Sequence, residues 1–226
     1  MANLVITIDG PAASGKSTVG QLLAQRLDAG FLDTGAMYRA LTLAAMQAGI
    51  DMSDEDRLLA VLENKEFEFA VEEGKMAVKI NGVDVTEKIR KPEVTAKAWY
   101  VASPARVREK LVEMQRQFAA GCARIVTEGR DQGTVAFPTA DIKFYLTAQT
   151  TERARRRHVE LGRKADNSLE QVRRAIRERD ASDESRGIGP LKPADDAIVV
   201  DTTHLSIEQV VEKLWGSVKE KCLQKD

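Results

Sequence analysis

The sequence predicts an α/β protein whose centre is a five-stranded parallel sheet flanked by helices. Five short apolar segments alternate with helical segments along the 226 residues, and such alternation requires crossover connections between parallel strands. A glycine-rich loop joins the first apolar segment to the first helical one. Between residues 66 and 86 an alternating pattern interrupts this order and predicts a small antiparallel β insert. We therefore expect a single domain over residues 1–226 with inserted elements.

The first predicted strand, residues 4–8, leads into a loop with the spacing Gly10-x-x-x-x-Gly15-Lys16-Ser17 and then into an amphipathic helix. Glycines let the backbone wrap closely around phosphate oxygens, and a helix N-terminus directs N–H groups and a positive dipole at an anion. Lys16 adds a point charge for the outer phosphates, and the Ser17 hydroxyl suits Mg²⁺. A glycine turn is the simpler alternative, but strand, loop, Lys-Ser pair and helix all occur in register. The pattern predicts a nucleoside triphosphate site.

A second predicted strand, residues 31–35, is followed by a helix over 36–48, and their junction reads Asp33-Thr-Gly-Ala-Met-Tyr-Arg39. Asp33 or Thr34 could cap that helix. Alternatively, Thr34 and Arg39, about one and a half helical turns apart, form an anion site at the mouth of the sheet. The residues alone favour neither interpretation.

The next segment combines a short helix with the insert. Residues 53–62 predict a helix with acidic residues in its first turn, where they suit the helix dipole. From 66 to 86 apolar residues alternate with polar ones, and turn sequences occur at 73–74 and 81–82, the second being Asn-Gly. This insert is either a stabilising extension of the core or a lobe that closes over a substrate. We favour the lobe.

A Lys-Pro break at 91–92 separates the insert from two predicted helices, over 93–102 and from 103 onward. Arg106 and Arg108 lie in the first turns of the second helix. Basic residues in that position oppose the helix dipole, which suggests a role other than helix stability.

A third core strand, residues 124–128, leads directly into the loop Gly129-Arg-Asp-Gln-Gly-Thr134. Open α/β sheets bind ligands at the carboxyl ends of their strands. Two glycines also bracket the Arg130-Asp131 pair. We therefore interpret this pair as part of a site rather than as a charged surface loop.

The fourth predicted strand, residues 142–147, precedes a helix over 151–161 that carries four arginines, Arg153, Arg155, Arg156 and Arg157. A solvated basic face is one explanation for them. As an RNA-binding face the helix lacks interleaved aromatic residues. As a lid it would bring guanidinium groups to a triphosphate.

A further helix is predicted over 169–180, followed by a fifth strand at 197–201 and a last helix. Around the end of the first of these, three charged residues recur at spacings of four and three and so share one helix face: Arg179, Asp183 and Arg186. An exposed ion-pair ladder explains this pattern as well as a site does.

Composition excludes several classes of protein. A net charge of −1 gives no global field that attracts nucleic acid or an anionic membrane. No apolar stretch approaches the ~20 residues needed to cross a bilayer, and Asp9 ends the first apolar run, so we predict neither a membrane span nor a signal peptide. The two cysteines and two histidines form no ligand pairs, which predicts a reduced, cytoplasmic compartment and no zinc site. With no obvious apolar patch, we predict a monomer.

A phosphate-binding loop is shared by GTPases, motor ATPases, transporters and small kinases, and other parts of the chain must separate these. No Asn-Lys-x-Asp guanine-base motif is present. The strand at 124–128 ends in Glu, which weakens the case for a large ATPase. The remaining basic residues are spread over several strand-end loops, as required to hold a second phosphate. The residues favour phosphoryl transfer to a small anionic acceptor.

Six segments together resemble the bacterial cytidylate kinases over essentially the whole chain. They are Gly10-Pro-Ala-Ala-Ser-Gly-Lys-Ser17, Asp33-Thr-Gly-Ala-Met-Tyr-Arg39, the insert, Arg106-Val-Arg108, Gly129-Arg-Asp-Gln-Gly-Thr134, and Glu178-Arg-Asp180 through Arg186. The resemblance implies a P-loop NTPase core with a monophosphate-binding lobe at about 64–92 and a short helical arginine lid at about 153–165. It also implies transfer of the γ-phosphate of ATP, bound with Mg²⁺, to CMP or dCMP.

The resemblance further implies roles for individual residues. The nucleotide-binding loop comprises Gly10, Pro11, Ala12, Ala13, Ser14, Gly15, Lys16, Ser17 and Thr18, with Ser17 as the metal ligand. The residues implied to bind the phosphate of the acceptor nucleotide are Arg39 and Arg130, beside Thr34 and Tyr38. Those implied to bind its base, called the base readers below, are Arg108, Asp131 and Arg186. Those implied to bind its ribose are Arg179 and Asp183. The implied catalytic residues are Lys16, Arg130 and, from the lid, Arg153 and Arg157, with Arg156 beside them.

Cytosine offers an N4 donor beside N3 and O2 acceptors, so a carboxylate and a guanidinium side by side suit it. Uracil would place a carbonyl against Asp131, and buried hydrogen bonds can reject such an analogue by roughly four orders of magnitude. Guanine would also satisfy an Arg–Asp pair, so residue types leave GMP open and the resemblance favours CMP. Two residues depart from the family's pattern, Trp99 near the expected base position and Glu128 where Asp is usual. We interpret Trp99 as a core residue of a shifted helix.

Overall fold

A computed structural model describes residues 4–72, 74–162 and 168–223 of the chain. Its strands are β1 (Leu4–Asp9), β2 (Gly30–Asp33), β3 (Phe67–Glu72), β4 (Lys75–Ile80), β5 (Val83–Asp84), β6 (Arg124–Gly129), β7 (Ile142–Thr147) and β8 (Ile198–Asp201). Its helices are α1 (Lys16–Leu27), α2 (Thr34–Ala48), α3 (Glu55–Asn64), α4 (Pro92–Ala102), α5 (Ala105–Ala120), α6 (Thr150–Leu161), α7 (Leu169–Glu184) and α8 (Ile207–Val218). Short single-turn helices occur at Lys88–Arg90, Gln132–Ala136 and Lys219–Leu223.

The large sheet is parallel in every pair and has the strand order β2-β6-β1-β7-β8. In its register Asp9 lies opposite Gly129, and Asp33 lies opposite Glu128. The strands of a parallel sheet end at the same edge, so the loops after β1, β2 and β6 begin side by side. The five-stranded parallel sheet predicted from the sequence is confirmed.

Helices cover both faces of this sheet, and neighbouring residues of each strand contribute to different cores. Ile125 of β6 packs in a cluster with Leu41 of α2 and Leu111 of α5. The next residue, Val126, belongs to the opposite cluster, which includes Leu23 of α1 and residues of α8. Full burial of each such aliphatic side chain stabilises the fold by about 1.5–3 kcal/mol. The two cores therefore hold the strand ends, and the loops that follow them, in fixed positions.

The insert forms a separate antiparallel sheet of β3, β4 and β5. Met76, Val78 and Ile80 of β4 are buried in the cluster around α2, which attaches the insert to the core. Asn81 has φ +51° at the following turn, as the predicted Asn-Gly hairpin requires. The other predicted turn includes residue 73, which lies outside the described residues. The role of residues 64–92 as a monophosphate-binding lobe stays a prediction.

Two boundaries differ from the prediction, each for a local reason. The Asp33 carboxylate accepts the Ala36 N–H at 3.0 Å and caps α2, which therefore begins at Thr34. Helix α7 continues beyond the predicted end at residue 180 to Glu184, because no helix breaker occurs before Gly187. Of the lid predicted at 153–165, residues 163–165 lie outside the described residues.

The interpretation of Trp99 as a core residue is wrong. Its side chain is 52% exposed on α4 and stacks on Tyr100, with ring centroids 3.8 Å apart. The face of α4 that packs inward carries Val94 and Val101 instead. Within the described ranges, none of the helices is both long and apolar enough to cross a bilayer.

Candidate active site

The loop between β1 and α1 needs glycine at both ends. Gly10 has φ +147°, and a Cβ there would lie 2.0 Å from the Leu146 carbonyl oxygen. Gly15 has φ +94° and is the N-cap residue of α1. A side chain would be strained at both positions. The loop thus delivers the chain directly to a helix N-terminus, with Thr18 exposed in the first turn, and the N–H groups there favour an anion.

Lys16 is buried inside this loop. Its Nζ donates to the Pro11 carbonyl at 2.7 Å and contacts the buried Ser14 Oγ at 3.4 Å, and both acceptors are neutral. Burial lowers the pKa of Lys16 to about 7, Arg130 adds to the lowering, and Glu128 opposes it. A bound phosphate would supply the counter-charge that the neutral oxygens do not.

Both backbone polar groups of Ala12, its N–H and its carbonyl, form hydrogen bonds with side chains. Its N–H donates to Asp180 Oδ1 at 3.1 Å, and its carbonyl accepts from Arg153 Nη1 at 3.1 Å. The next residue, Ala13, adopts φ +58°. Hydrogen bonds to Arg153 of α6 and Asp180 of α7 therefore hold the nucleotide-binding loop at the residue before Ala13.

Ser17 lies beside two carboxylates at the strand edge. Its Oγ donates to Glu128 Oε1 at 2.8 Å, and Glu128 is opposite Asp33 in the sheet register. Burial and the neighbouring Asp33 raise the pKa of Glu128. Burial alone would also raise the pKa of Asp33, but Arg39 and Arg90 hold it below its ordinary value. Hydroxyl and carboxylate oxygens are the ligands that Mg²⁺ prefers, so this group of residues fits the metal that the resemblance implies.

The Asp33 carboxylate also forms ion pairs with two arginines. Arg39 Nη2 lies 3.0 Å and Arg90 Nη2 3.5 Å from Asp33 Oδ2, while the Thr34 hydroxyl donates to the Glu128 carbonyl at 2.8 Å. Arg39 and Thr34 thus lie at the predicted edge of the sheet. Arg90 was not predicted, although the Lys-Pro break directly after it marks the return of the chain from the insert to the core.

Arg108 and Asp131 form a buried ion pair, with exposed fractions of 2% and 3%. Arg108 Nη2 donates to Asp131 Oδ2, and Nη1 donates to the Ala102 carbonyl at 3.0 Å. The guanidinium lies over the Tyr38 ring, 5.6 Å from its centroid. The Tyr38 hydroxyl is buried and, in the described part of the chain, has no hydrogen-bond partner; burial raises its pKa to about 12. Two of the predicted base readers, Arg108 and Asp131, therefore lie side by side, next to the Tyr38 side chain.

Asp183 connects the loop after β6 to α7. Arg130 Nε donates to Asp183 Oδ2 at 2.8 Å, and Arg186 Nη2 donates to Asp183 Oδ1. Burial alone would raise the pKa of Asp183, but Arg130 and Arg186 outweigh it and hold this pKa below its ordinary value. Because Asp183 is only 3% exposed, an exposed ion-pair ladder does not describe it. Arg179 lies one turn earlier on α7 and is exposed, whereas Arg186 follows the end of the helix.

The predicted lid arginines differ in what they contact. Arg153 is 6% exposed, and its guanidinium donates to Ala148 O, Ala12 O, Asp180 Oδ2 and Thr150 Oγ1. Arg156 donates to the Thr202 carbonyl at 2.6 Å. Arg157 instead pairs with Glu160 at 2.8 Å on the surface of α6. Its guanidinium can move toward a ligand at less cost than that of Arg153, which is engaged by protein acceptors.

Comparisons with known proteins show which family the chain belongs to. The sequence profile of the family described as cytidylate kinase matches residues 6–220. Cytidylate kinases of Bacillus thuringiensis (strain Al Hakam) and Bacillus cereus (strain AH187) are each 45% identical to this chain over 214 residues, which cover 94% of this chain and 95% of theirs. A solved shikimate kinase from Bacteroides thetaiotaomicron covers 96% of this chain and 98% of its own at 13% identity and a TM-score of 0.48, a likeness too low to add to the assignment. The predicted family is thereby confirmed, and the chain belongs to the cytidylate kinase family.

Proposed function

We propose that this chain is an ATP-dependent cytidylate kinase, which transfers the γ-phosphate of ATP to CMP or dCMP and releases ADP with CDP or dCDP. The observation that supports this most strongly is the buried Arg108–Asp131 pair beside the nucleotide-binding loop. Because Asp9 lies opposite Gly129, the loops that follow β1 and β6 start next to each other. A triphosphate on residues 10–18 and a nucleotide at Asp131 would therefore meet at one edge of the sheet.

The acceptor base would bind at the Arg108–Asp131 pair. The Asp131 carboxylate accepts the N4 amino group of cytosine, and the Arg108 guanidinium donates to N3 or O2. Both side chains are almost fully buried, so a base that leaves either one unpaired loses the compensation for its desolvation. Arg186 adds a donor on the same side, and the Tyr38 hydroxyl is a further partner. This chemistry favours cytosine over uracil.

The acceptor phosphate needs no general base. Its second pKa is about 6, so it is largely ionised near neutrality. One of its oxygens forms the new bond to the γ-phosphorus, while the bond from that phosphorus to the bridging oxygen of ADP breaks. Arg39 and Arg130 hold the acceptor phosphate. Arg90 adds a further cation beside Arg39, since both contact Asp33, whereas Arg130 pairs with Asp183. Lys16 stabilises the charge that spreads over the transferring group.

Mg²⁺, when bound with ATP, neutralises charge on the β- and γ-phosphates. Ser17 would ligate it directly, and Glu128 and Asp33 lie where they can bind the ion or its waters. In the same proposal Arg179 and Asp183 hold the ribose. Arg157 is the lid arginine best placed to reach the transferring phosphoryl group, since its present partner is a surface carboxylate.

The proposal is tested by coupled measurement of ADP release with ATP, Mg²⁺ and a panel of CMP, dCMP, UMP, GMP and AMP. We expect kcat/KM for CMP or dCMP to exceed that for UMP at least about 100-fold, because uracil places its O4 carbonyl against the Asp131 carboxylate. Equal rates with UMP would contradict the assignment of the base site, and equal rates with GMP would contradict the preference for cytidine monophosphates. RNA binding that weakens with salt, without turnover of any monophosphate, would contradict the enzyme assignment as a whole. The monomeric state and cytoplasmic location stay predictions from the sequence.

A further inference from the structure

Asp9 lies at the start of the nucleotide-binding loop but contacts the other half of the site. It ends β1, one residue before Gly10, and is 4% exposed. Its Oδ1 accepts the Gln132 N–H at 2.8 Å, and its Oδ2 accepts the Gly133 N–H at 2.7 Å. These two residues directly follow Asp131. Both carboxylate oxygens of a donor-loop residue are thus used to hold the backbone of the loop that carries the base reader.

Asp180 shows the reverse arrangement. It lies on α7 between Arg179 and Asp183, is 8% exposed, and accepts the Ala12 N–H at 3.1 Å through Oδ1. Its Oδ2 accepts from Arg153, and the same guanidinium donates to the Ala12 carbonyl. A residue of the acceptor-side helix therefore holds the backbone of the nucleotide-binding loop.

We infer that Asp9 and Asp180 are reciprocal positioning residues: each lies in the half of the site that binds one nucleotide and fixes the loop that binds the other. This inference rests on the proposed two-nucleotide function. Neither carboxylate is needed to touch a substrate, since its oxygens are directed at backbone N–H groups and, for Asp180, at Arg153. The consequence is a crossed pattern of effects, in which a substitution beside one nucleotide weakens binding of the other.

Hydrogen-bond chemistry gives the direction of each effect. An ionised carboxylate accepts on both oxygens, whereas an amide of the same shape accepts on one and donates from the other. Asp9→Asn leaves Gln132 or Gly133 facing a donor, so the loop that carries Asp131 must shift. Asp180→Asn leaves either Ala12 or Arg153 in the same situation. Positions of about 1 Å matter for nucleotide alignment, so such shifts should appear in affinity.

The test measures Kd for CMP and for ADP by calorimetry on the full-length wild type, D9N, D180N and the control D141N. Asp141 is a matched control because its carboxylate also accepts a backbone N–H, that of Val5 at 2.7 Å, but at the opposite end of β1. We expect D9N to weaken CMP at least tenfold and ADP less than threefold. D180N should weaken ADP at least fivefold and CMP less than threefold, and D141N should change neither. Equal loss of both nucleotides in D9N and D180N, or loss confined to each residue's own half, would overturn the inference.

Amide hydrogen exchange separates this inference from the proposed function. D9N should increase exchange about tenfold at Gln132 or Gly133, whichever loses its acceptor, and leave residues 10–18 unchanged, whether or not CMP is the substrate. D180N should increase amide exchange at Ala12 about tenfold. A wild type that binds no CMP would refute the proposed function, whereas unchanged exchange at these amides would refute the positioning role. If either variant does not fold, D9E and D180E, which displace the carboxylate and retain its charge, are judged by the same criteria.

Discussion

The donor and acceptor halves of the site are built in opposite ways. The proposed donor half is one continuous segment, residues 10–18, and would bind a triphosphate through backbone N–H groups and one lysine. The acceptor half takes its side chains from α2, the turn after the insert, α5, the loop after β6 and α7. One half therefore depends on local spacing, and the other on how the sheet and its helices bring distant residues together.

The two halves also differ in charge before any ligand binds. Lys16 donates to neutral oxygens, whereas Arg39, Arg108 and Arg130 each contact a carboxylate. A buried cation without a counter-ion is costly, and a bound phosphate removes that cost on the donor side. On the acceptor side the carboxylates already hold the guanidinium groups in place. The difference indicates that the donor half works mainly by charge and the acceptor half by prearranged hydrogen bonds.

The largest effect is expected from Lys16→Met, which removes the charge of the donor half. We expect kcat to fall about 10³-fold, the upper range for loss of one group that stabilises charge in the transition state. The Kd of CMP should change less than about threefold, because Lys16 belongs to the other half. Steady-state kinetics and calorimetry provide the two numbers. If kcat fell by less than tenfold, the proposal that the donor half works mainly by charge would be contradicted.

The next largest effect is expected from Asp131→Asn in the acceptor half. The amide keeps an oxygen for Arg108 but presents a donor, which suits the O4 of uracil and opposes the N4 amino group of cytosine. The ratio of kcat/KM for CMP to that for UMP should fall about 100-fold, with the KM for ATP unchanged.

Asp196→Asn is the control for this substitution, since it alters an exposed carboxylate that pairs with Lys143 at 2.9 Å. An equal loss of ATP and CMP binding in the Asp131 variant would show that Asp131 is structural.

Arg153 and Arg157 test the comparison within the lid. Arg153→Ala should destabilise the fold by about 3–5 kcal/mol in urea unfolding, because it leaves the buried Asp180 without its partner. Arg157→Ala removes a surface pair and should leave stability within about 1 kcal/mol while it lowers kcat about tenfold or more. The opposite pattern would mean that Arg153 leaves its acceptors to reach the phosphoryl group.

A smaller effect on the Kd of CMP is expected when a lower pH protonates Asp9. Burial raises the pKa of Asp9 to about 7. The hydrogen bonds from Gly133 and Gln132 and the charge of Lys16 lower this pKa, whereas the charge of Asp131 raises it. On the neighbouring strand β7, Tyr145 lies opposite Asp9. As the pH falls from 8 to 6, protonation removes one acceptor, and the Kd of CMP in the wild type should rise several-fold more than in D9N.

The stability of the fold should change in the opposite direction. The pKa of Asp9 in the folded state lies above the ordinary carboxyl value, so protonation of Asp9 stabilises the fold relative to the unfolded chain. A weaker affinity at pH 6 therefore cannot come from unfolding through Asp9. A parallel rise of Kd in D9N and the wild type would assign the effect to the phosphate of CMP instead.

The smallest effect is expected from Trp99→Ser. The side chain is half-exposed and packs on Tyr100, so its loss should change the free energy of unfolding by less than about 1 kcal/mol. The KM for CMP should stay within about twofold. A tenfold increase in KM would place Trp99 in the base site.

The sequence predicted the strand, glycine-rich loop and helix of the donor half because their spacing is local, from Gly10 to Ser17. It also predicted the position of Arg130 and Asp131 at the edge of the sheet, since these follow a strand directly, and their role in acceptor binding stays a proposal. It did not predict the role of Arg90, because pairing with Asp33 depends on how the insert packs on the core.

Glu128, Asp9 and Asp180 were not predicted as site residues for a related reason. Their partners are Ser17, backbone N–H groups and Arg153, which lie 27 to 168 residues away in the chain. The error at Trp99 arose because both faces of α4 carry apolar residues, so its periodicity did not reveal the inward face.

In the proposed function, the donor half transfers its phosphoryl group directly to a nucleotide in the acceptor half. The most direct measurement is ³¹P NMR of ATP, Mg²⁺ and CMP with the full-length protein. We expect the β-phosphate signals of CDP and ADP to grow at equal rates, with no inorganic phosphate while CMP remains. Consumption of ATP to inorganic phosphate with CMP unchanged would contradict the claim.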